Sequence, residues 1–394
     1  MKKVIAIVLA LVMLFALVAC AGEKKNEQQQ GQDPKQQSEK QPDQQSDQQN
    51  RHEYEIAVVT DVGQLMDGGF NQGTYEGATT YAENNNKTCQ YYQPANGADA
   101  TDNDRVAAMR QAIKNGAKVI VAPGFLQAGA MQTVAMESPE VKFIFVDGWA
   151  LDDGNGNLLD NVTAIVYKEQ ESGFLAGYAA VKDGYTKLGG TFGGGGSNPA
   201  CNRFAYGFVQ GAKYAADELN KDVEVKVSFK YGDTFSASPE LAAQMSSWYS
   251  SGTEAIFACG GSMVQSVIAA AKETSDGKII GVDTDQSTLD ERVITSAMKG
   301  LSASVQKVLG ELYNNEWDSK LGGQASNLGA ADDATGLPFA TSRFNSFSEA
   351  DYNAIYEKVK SGEIVPDANV EGCDTAAFWS SAFDGTHVTV TLEA

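Results

Sequence analysis

Lys118-Val119-Ile120-Val121-Ala122, a helix-length stretch over residues 127–136, and then Val141-Lys142-Phe143-Ile144-Phe145-Val146-Asp147 form the passage on which the fold reading turns. Two short, β-rich apolar runs flank one helical segment. That order reads as strand, helix, strand in a parallel sheet covered by helices on both faces. The pattern extends upstream: Tyr54-Glu55-Ile56-Ala57-Val58-Val59-Thr60 is strand, 72–83 helix, 88–93 strand and 102–115 helix. Downstream, 162–167 reads as strand and 174–181 as helix.

The rhythm restarts near Lys187. Residues 188–192 are strand, 203–219 helix, 223–229 strand, 240–248 helix behind Pro239, 255–258 strand, 264–273 helix, and Lys278-Ile279-Ile280-Gly281-Val282-Asp283 strand. Two α/β units of similar build therefore follow one another, and a cleft at the carboxyl ends of their strands is the expected binding site. The boundaries predicted are a first lobe over 53–185 with 300–322 returning to it, and a second over 186–299 with 323–366 returning. A helix over 297–312 makes the crossover, 349–360 is a further helix, and 367–394 is a C-terminal extension. Its alternating run His387-Val388-Thr389-Val390-Thr391-Leu392 reads as an added edge strand.

Composition narrows the function. The 394 residues are 42% apolar, enough for one large core or two lobes. Thirty basic against 51 acidic residues leave a formal charge of −21, which repels phosphate backbones and argues against a nucleic-acid partner. Only His52 and His387 could serve a histidine-dependent triad or zinc site, and they lie far apart. Five cysteines show no Cys-x-x-Cys pair.

At the N-terminus, Lys2 and Lys3 precede an apolar run over 4–19, shorter than the roughly 20 residues needed to span a bilayer. The order of charge, apolar stretch and small residues reads as a signal peptide over 1–19. Leu17-Val18-Ala19-Cys20 resembles a bacterial lipobox, which makes Cys20 the lipidated first residue of the mature chain. The Gln-rich stretch that follows has no Leu, Ile, Val, Met or aromatic residue from 23 to 50, so 20–52 reads as a solvated tether. The expected location is the extracytoplasmic face of the cell membrane.

Polar residues cluster where strands stop. Asp61 follows the first strand, and Asp67-Gly68-Gly69-Phe70-Asn71-Gln72 opens the next helix. Asp147 ends another strand, and so does Asp283 within Gly281-Val282-Asp283-Thr284-Asp285-Gln286. One such aspartate is as readily a helix cap as a ligand contact; carboxylates at three corresponding strand ends favour a ligand site. The run Gly189-Gly190-Thr191-Phe192-Gly193-Gly194-Gly195-Gly196 lacks the Gly-Lys-Ser/Thr of a phosphate loop and reads as a permissive turn. Cys89, Cys201, Cys259 and Cys373 permit a disulfide without requiring one.

Several longer stretches carry a resemblance. They are the Asp67 to Gln72 motif, Lys168-Glu169-Gln170-Glu171-Ser172-Gly173-Phe174-Leu175-Ala176-Gly177-Tyr178 and Pro199-Ala200-Cys201-Asn202-Arg203-Phe204-Ala205-Tyr206-Gly207-Phe208. Gly281 to Gln286, Thr295-Ser296-Ala297-Met298-Lys299 and Lys360-Ser361-Gly362-Glu363-Ile364-Val365-Pro366 complete the set. In that order and spacing they resemble the basic membrane protein family, the PnrA-like substrate-binding lipoproteins, over about residues 55–366. The resemblance implies a type I periplasmic-binding-protein fold: two doubly wound α/β lobes of parallel sheet, joined by a hinge around a ligand cleft. It also implies a non-enzymatic role, no cofactor or metal, and an ABC permease and ATPase as partners. Its ligand would be a purine nucleoside held between Phe70 and Phe204. Asp61, Asn71, Asp147, Asp283 and Lys299 match the family's polar binding positions, and Gly261 a backbone contact. Gly69 stands where the family usually has Ser, and Trp149 and the run 193–198 also depart from it. A sugar or autoinducer-like ligand in the same fold, or a carboxylate-based extracytoplasmic hydrolase, are the competing readings.

Overall fold

A computed structural model describes residues 54–60, 62 and 64–393. The signal peptide, Cys20, the tether and Asp61 lie outside the described residues.

The first sheet is built from β1 (Ile56–Val59), β2 (Cys89–Tyr92), β3 (Val119–Pro123), β4 (Lys142–Val146) and β5 (Val162–Tyr167), alternating with α1 (Phe70–Asn84), α2 (Asp102–Lys114) and α3 (Ala128–Glu137). Then come α4 (Glu169–Lys182), β6 (Lys187–Phe192), α5 (Pro199–Leu219), β7 (Val223–Ser228) and α6 (Pro239–Ser250). The second unit continues through β8 (Ala255–Cys259), α7 (Met263–Ala271), β9 (Lys278–Asp283) and β10 (Val293–Lys299). The chain ends with α8 (Leu301–Tyr313), β11 (Ala325–Leu328), β12 (Thr335–Gly336), α9 (Glu349–Lys360), α10 (Ala376–Phe383) and β13 (Val388–Glu393).

Strand order is β11-β5-β4-β3-β1-β2 in one sheet and β12-β10-β9-β8-β6-β7-β13 in the other. Every pairing is parallel except β12, which runs antiparallel to β10. The central strands β1, β3 and β8 are buried along their whole length, which is why they read as unbroken apolar runs.

Several expected boundaries move. β11 lies in 323–366, assigned from sequence to the second lobe, yet it pairs with β5 and extends the first sheet. Helix α4 was placed in the first lobe but packs on α5 of the second. A Cβ on Gly177 would lie 1.9 Å from the Phe208 carbonyl oxygen, and one on Gly211 would lie 1.9 Å from that of Phe174. Glycines spaced four apart on both helices permit this approach, and Phe174, Leu175, Phe204 and Phe208 share one core. Residues 297–299, expected to begin a crossover helix, instead end the buried strand β10, and the helix starts at Leu301. The C-terminal segment is integral to the second lobe: Cys373, Trp379, Phe383 and Val388 belong to its core, and β13 pairs with β7.

Three segments cross between the sheets: 167–169, 299–301 and 328–335. The first turn of α4 ties them together. The Glu171 carboxylate accepts from the Ala330 N–H (2.6 Å) and the Thr335 hydroxyl (2.9 Å). The Ser172 hydroxyl donates to the Met298 carbonyl (2.6 Å) and accepts from the Gly336 N–H (2.9 Å). The Gly300 N–H donates to the Ala334 carbonyl at 2.8 Å.

Candidate functional site

A cavity of about 240 Å³ lies between the two sheets, lined by residues at strand ends and helix starts of both. Phe70, Asn71, Asp147, Phe204, Gly261, Asp283 and Lys299 all line it; of the ligand-binding positions expected from sequence, Asp61 alone falls outside the described residues.

On the first-lobe side, Asp67 organises the start of α1. Its carboxylate accepts from the N–H groups of Gly69 (2.8 Å), Asn71 (3.1 Å) and Gln72 (3.2 Å), occupying donors that a helix start leaves unpaired. Burial pushes this carboxyl up, and the same backbone hydrogen bonds oppose the rise. Phe70 is thereby fixed as the first residue of the helix with its ring toward the cavity. Asn71 is buried, and its amide donates to the carbonyls of Val62 (3.0 Å) and Gln64 (3.4 Å), bracing the loop before the helix. The Gly68 carbonyl accepts from the Thr284 hydroxyl (2.8 Å) and the Gln286 amide (2.9 Å), so this loop already touches the second lobe.

On the second-lobe side, Gly194, Gly195 and Gly196 all have positive φ and turn β6 into α5, a path that favours glycine. The Asn198 side chain then accepts from the N–H groups of Ala200 (2.9 Å) and Cys201 (3.0 Å). The helix start is capped by its own chain, and Pro199 occupies its first position. Phe204 follows one turn later. It is only 1% exposed and stands edge-on to Phe257 at 5.9 Å, so it serves the core and the cavity wall together. At Gly261, φ is +42° and a Cβ would lie 2.5 Å from the Phe235 carbonyl oxygen, which restricts the position to glycine.

Lys299 is the centre of the charged cluster. Its Nζ lies 2.5 Å from Asp147 Oδ2, 3.3 Å from Glu169 Oε1 and 3.8 Å from Asp283 Oδ1. The same nitrogen is 5.1 Å from the Phe70 ring centre, 5.4 Å from that of Phe204 and 5.6 Å from that of Tyr167, within cation–π range of all three. Burial works against its charge, but the three carboxylates outweigh that and hold the ammonium well above its ordinary range. Asp147 and Asp283 both have left-handed backbones, with φ of +58° and +66°. Such strain at two strand ends, in residues whose carboxylates meet one ammonium, marks a site more than a scaffold. Burial raises the Asp283 carboxyl to about 7; Lys299 opposes the rise, while Asp147, Asp67 and Glu169 add to it.

Reading the sequence for strand-end aspartates missed Glu169 and Arg203. Glu169 is fully buried in the first turn of α4, and Arg203 Nε lies 2.6 Å from its Oε2. Trp149, noticed only as unusual, lines the cavity half-exposed, its ring 5.5 Å from that of Phe145. Phe235 also lines it and had no signal beyond its neighbouring glycines. All four described cysteines are free, and Cys201 and Cys259 contribute to the cavity wall.

Two open α/β lobes with a polar and aromatic cavity between them form a cleft suited to a small-molecule ligand. Residues 54–368 match the family described as ABC transporter substrate-binding protein PnrA-like, and the chain belongs to that family. It is a substrate-binding protein of an ABC transporter, not an enzyme. Basic membrane protein B of Borreliella burgdorferi is 33% identical over 264 residues, covering 66% of this chain and 72% of that one. The ABC transporter nucleoside-binding protein BmpA of Lactococcus lactis is 30% identical over 249 residues, covering 60% and 66%. Among solved structures, an ABC transporter solute-binding protein from Aeropyrum pernix superposes with a TM-score of 0.68 at 20% identity. It covers 84% of this chain and 98% of its own, a likeness of fold alone. Among the described residues no helix is long and apolar enough to cross a membrane.

Proposed function

We propose that the protein is a lipid-anchored receptor on the extracytoplasmic face of the membrane, which captures purine nucleosides between its lobes and hands them to an ABC permease and ATPase. The observation that carries this reading is the joint lining of one cavity by Phe70 of the first lobe, Phe204 of the second and the carboxylates around Lys299. A purine offers two π-faces for stacking, worth roughly 1–3 kcal/mol per base on an aromatic ring. Ribose hydroxyls taken out of water need acceptors, and carboxylates are strong ones. Asp147 Oδ1 is buried without a hydrogen-bond partner, and an incoming hydroxyl would satisfy it. In this reading Phe70 and Phe204 flank the base. Asp61, Asn71, Asp147, Asp283 and Lys299 hold the polar groups, Gly261 offers backbone, and Cys20 carries the lipid.

Mass spectrometry of ligand retained through purification, followed by calorimetry with purine and pyrimidine nucleosides, free bases and pentoses, tests the proposal. Saturable binding that prefers purine nucleosides is expected. Tighter binding of a free sugar, with no response to any purine nucleoside, would refute it.

A further inference from the structure

Both cations in the cavity wall, Lys299 and Arg203, are long and flexible, yet both are tied to one group that does not itself reach the cavity. We propose that Glu169 is a positioning residue for ligand binding: its buried carboxylate holds the Lys299 ammonium and the Arg203 guanidinium in place as the cationic wall of the site. The inference rests on the ligand reading above and extends it to a residue behind the cavity lining.

The geometry assigns each oxygen a separate task. Oε2 accepts a hydrogen bond from Arg203 Nε at 2.6 Å, while Oε1 lies 3.3 Å from Lys299 Nζ in an ion pair that lacks hydrogen-bond geometry. Glu169 is 0% exposed and belongs to α4, Arg203 to α5 and Lys299 to the end of β10. One carboxylate thus fixes side chains from two other elements of the second lobe, and the close packing of α4 on α5 holds it rigid. Without it, Lys299 keeps Asp147 across the cleft and Asp283 beside it. An ammonium with three rotatable donors would then settle onto these carboxylates and occupy the acceptors a ligand hydroxyl needs. Glu169 competes for the ammonium from behind and leaves those acceptors accessible. Its place in the first turn of α4 also suits a negative charge, since that end of a helix carries partial positive charge.

A role confined to packing and a role in positioning separate on the titration of Asp283. The titratable groups facing Asp283 are Lys299, Asp147, Asp67, Glu169 and the Cys259 thiol, which burial pushes well up. Selective 13C-aspartate labelling, with Asp283→Asn used for assignment, reads that carboxyl in the ligand-free protein. Glu169→Gln is expected to lower its titration midpoint, but loss of one negative neighbour does that by itself, so the deciding variant is Glu169→Asp, which keeps the charge: its midpoint is expected to fall as well, because the retracted carboxylate frees the ammonium to move toward the remaining ones. A midpoint in Glu169→Asp unchanged from wild type would overturn the proposal. Calorimetry with inosine is expected to show at least a tenfold loss of affinity in Glu169→Gln, with the pH at which affinity changes moving alongside the carboxyl. Wild-type affinity across the pH range would overturn the proposal. If Glu169→Gln does not fold, Glu169→Asp carries the test: it keeps the charge but retracts it by one methylene. At unchanged melting temperature it is expected to bind at least threefold more weakly, and wild-type affinity in this variant counts against positioning. If the wild-type protein binds none of the nucleoside panel, the ligand reading fails, and the Asp283 titration by itself decides the role of Glu169.

Discussion

Replacing Asp283 with Asn sets stability against binding, and the size of the effect can be worked from its surroundings. In the native state burial lifts this carboxyl from 3.8 to about 7. At roughly 1.36 kcal/mol per pH unit, that amounts to a native-state cost of about 4 kcal/mol once the group is fully ionised. The sign follows from proton counts. Between about pH 4 and 7 the folded protein holds a proton that the unfolded chain has released, so stability falls as pH rises through this window. Asn keeps the shape without the charge and is free of this penalty. With an unfolding entropy of about 2.1 cal/mol/K per residue over roughly 340 residues, 4 kcal/mol corresponds to a melting shift of about 6 °C. Thermal unfolding of the ligand-free proteins should therefore show nearly equal melting at pH 4 and an advantage for Asp283→Asn that grows toward about 6 °C by pH 8. The same variant should bind nucleoside roughly ten- to a hundredfold more weakly at pH 8, since a charge-assisted hydrogen bond is worth about 1.5–3 kcal/mol. A melting difference independent of pH, or a wild type that gains on the variant as pH rises, would refute the reasoning about this carboxyl.

The two phenylalanines should separate by burial. Phe204→Ala, at a position 1% exposed, is expected to cost about 3–5 kcal/mol of stability as well as affinity, whereas Phe70→Ala, at a half-buried helix start, should lose affinity by roughly 1–3 kcal/mol with a smaller change in melting. Calorimetry and melting on the same two proteins check this, and unchanged affinity in both would remove the stacking clamp. Cys20→Ala should abolish partitioning of the expressed protein into the detergent phase, and wild-type partitioning would remove the lipid anchor. Small-angle scattering should give a smaller radius of gyration with saturating nucleoside than without, and an unchanged radius at demonstrated saturation would count against closure of the lobes.

How much of this was legible in the chain depends on whether the cause is local. The central strands could be read because each is a short apolar run buried on both faces, as in β3 and β4. Asp147 and Asp283 could be read because a carboxylate just past such a run has few structural tasks. β10 was partly lost, since the strand formers Val293-Ile294-Thr295 give way to Ser296-Ala297-Met298-Lys299, in which Ala, Met and Lys favour helix, and that second half is held as strand by its neighbour β9. The lobe membership of α4 was not legible. Gly173, Gly177, Gly207 and Gly211 show the right spacing, but nothing local says that the two pairs face each other. Glu169 was hidden for a similar reason: a glutamate in a helix's first turn already has an electrostatic explanation, and its real partners lie 34 and 130 residues further along the chain.

The tie formed by Glu171 and Ser172 has a mechanical consequence. Three separate cross-connections could in principle flex independently and let the lobes slide past one another. Here one helical turn holds both of the others, through the Ala330 N–H and Thr335 hydroxyl on one side and the Met298 carbonyl on the other. All of these groups lie on the second-lobe side, in α4, β10, β12 and the turn at Ala330. The tie therefore clamps the crossing segments to that lobe at one place, and bending between the lobes is left to the stretches on the first-lobe side of the clamp. Lys299, at the end of β10, stays with the second lobe, whereas the bonds from Thr284 and Gln286 to the Gly68 carbonyl span the cleft and act as its latch.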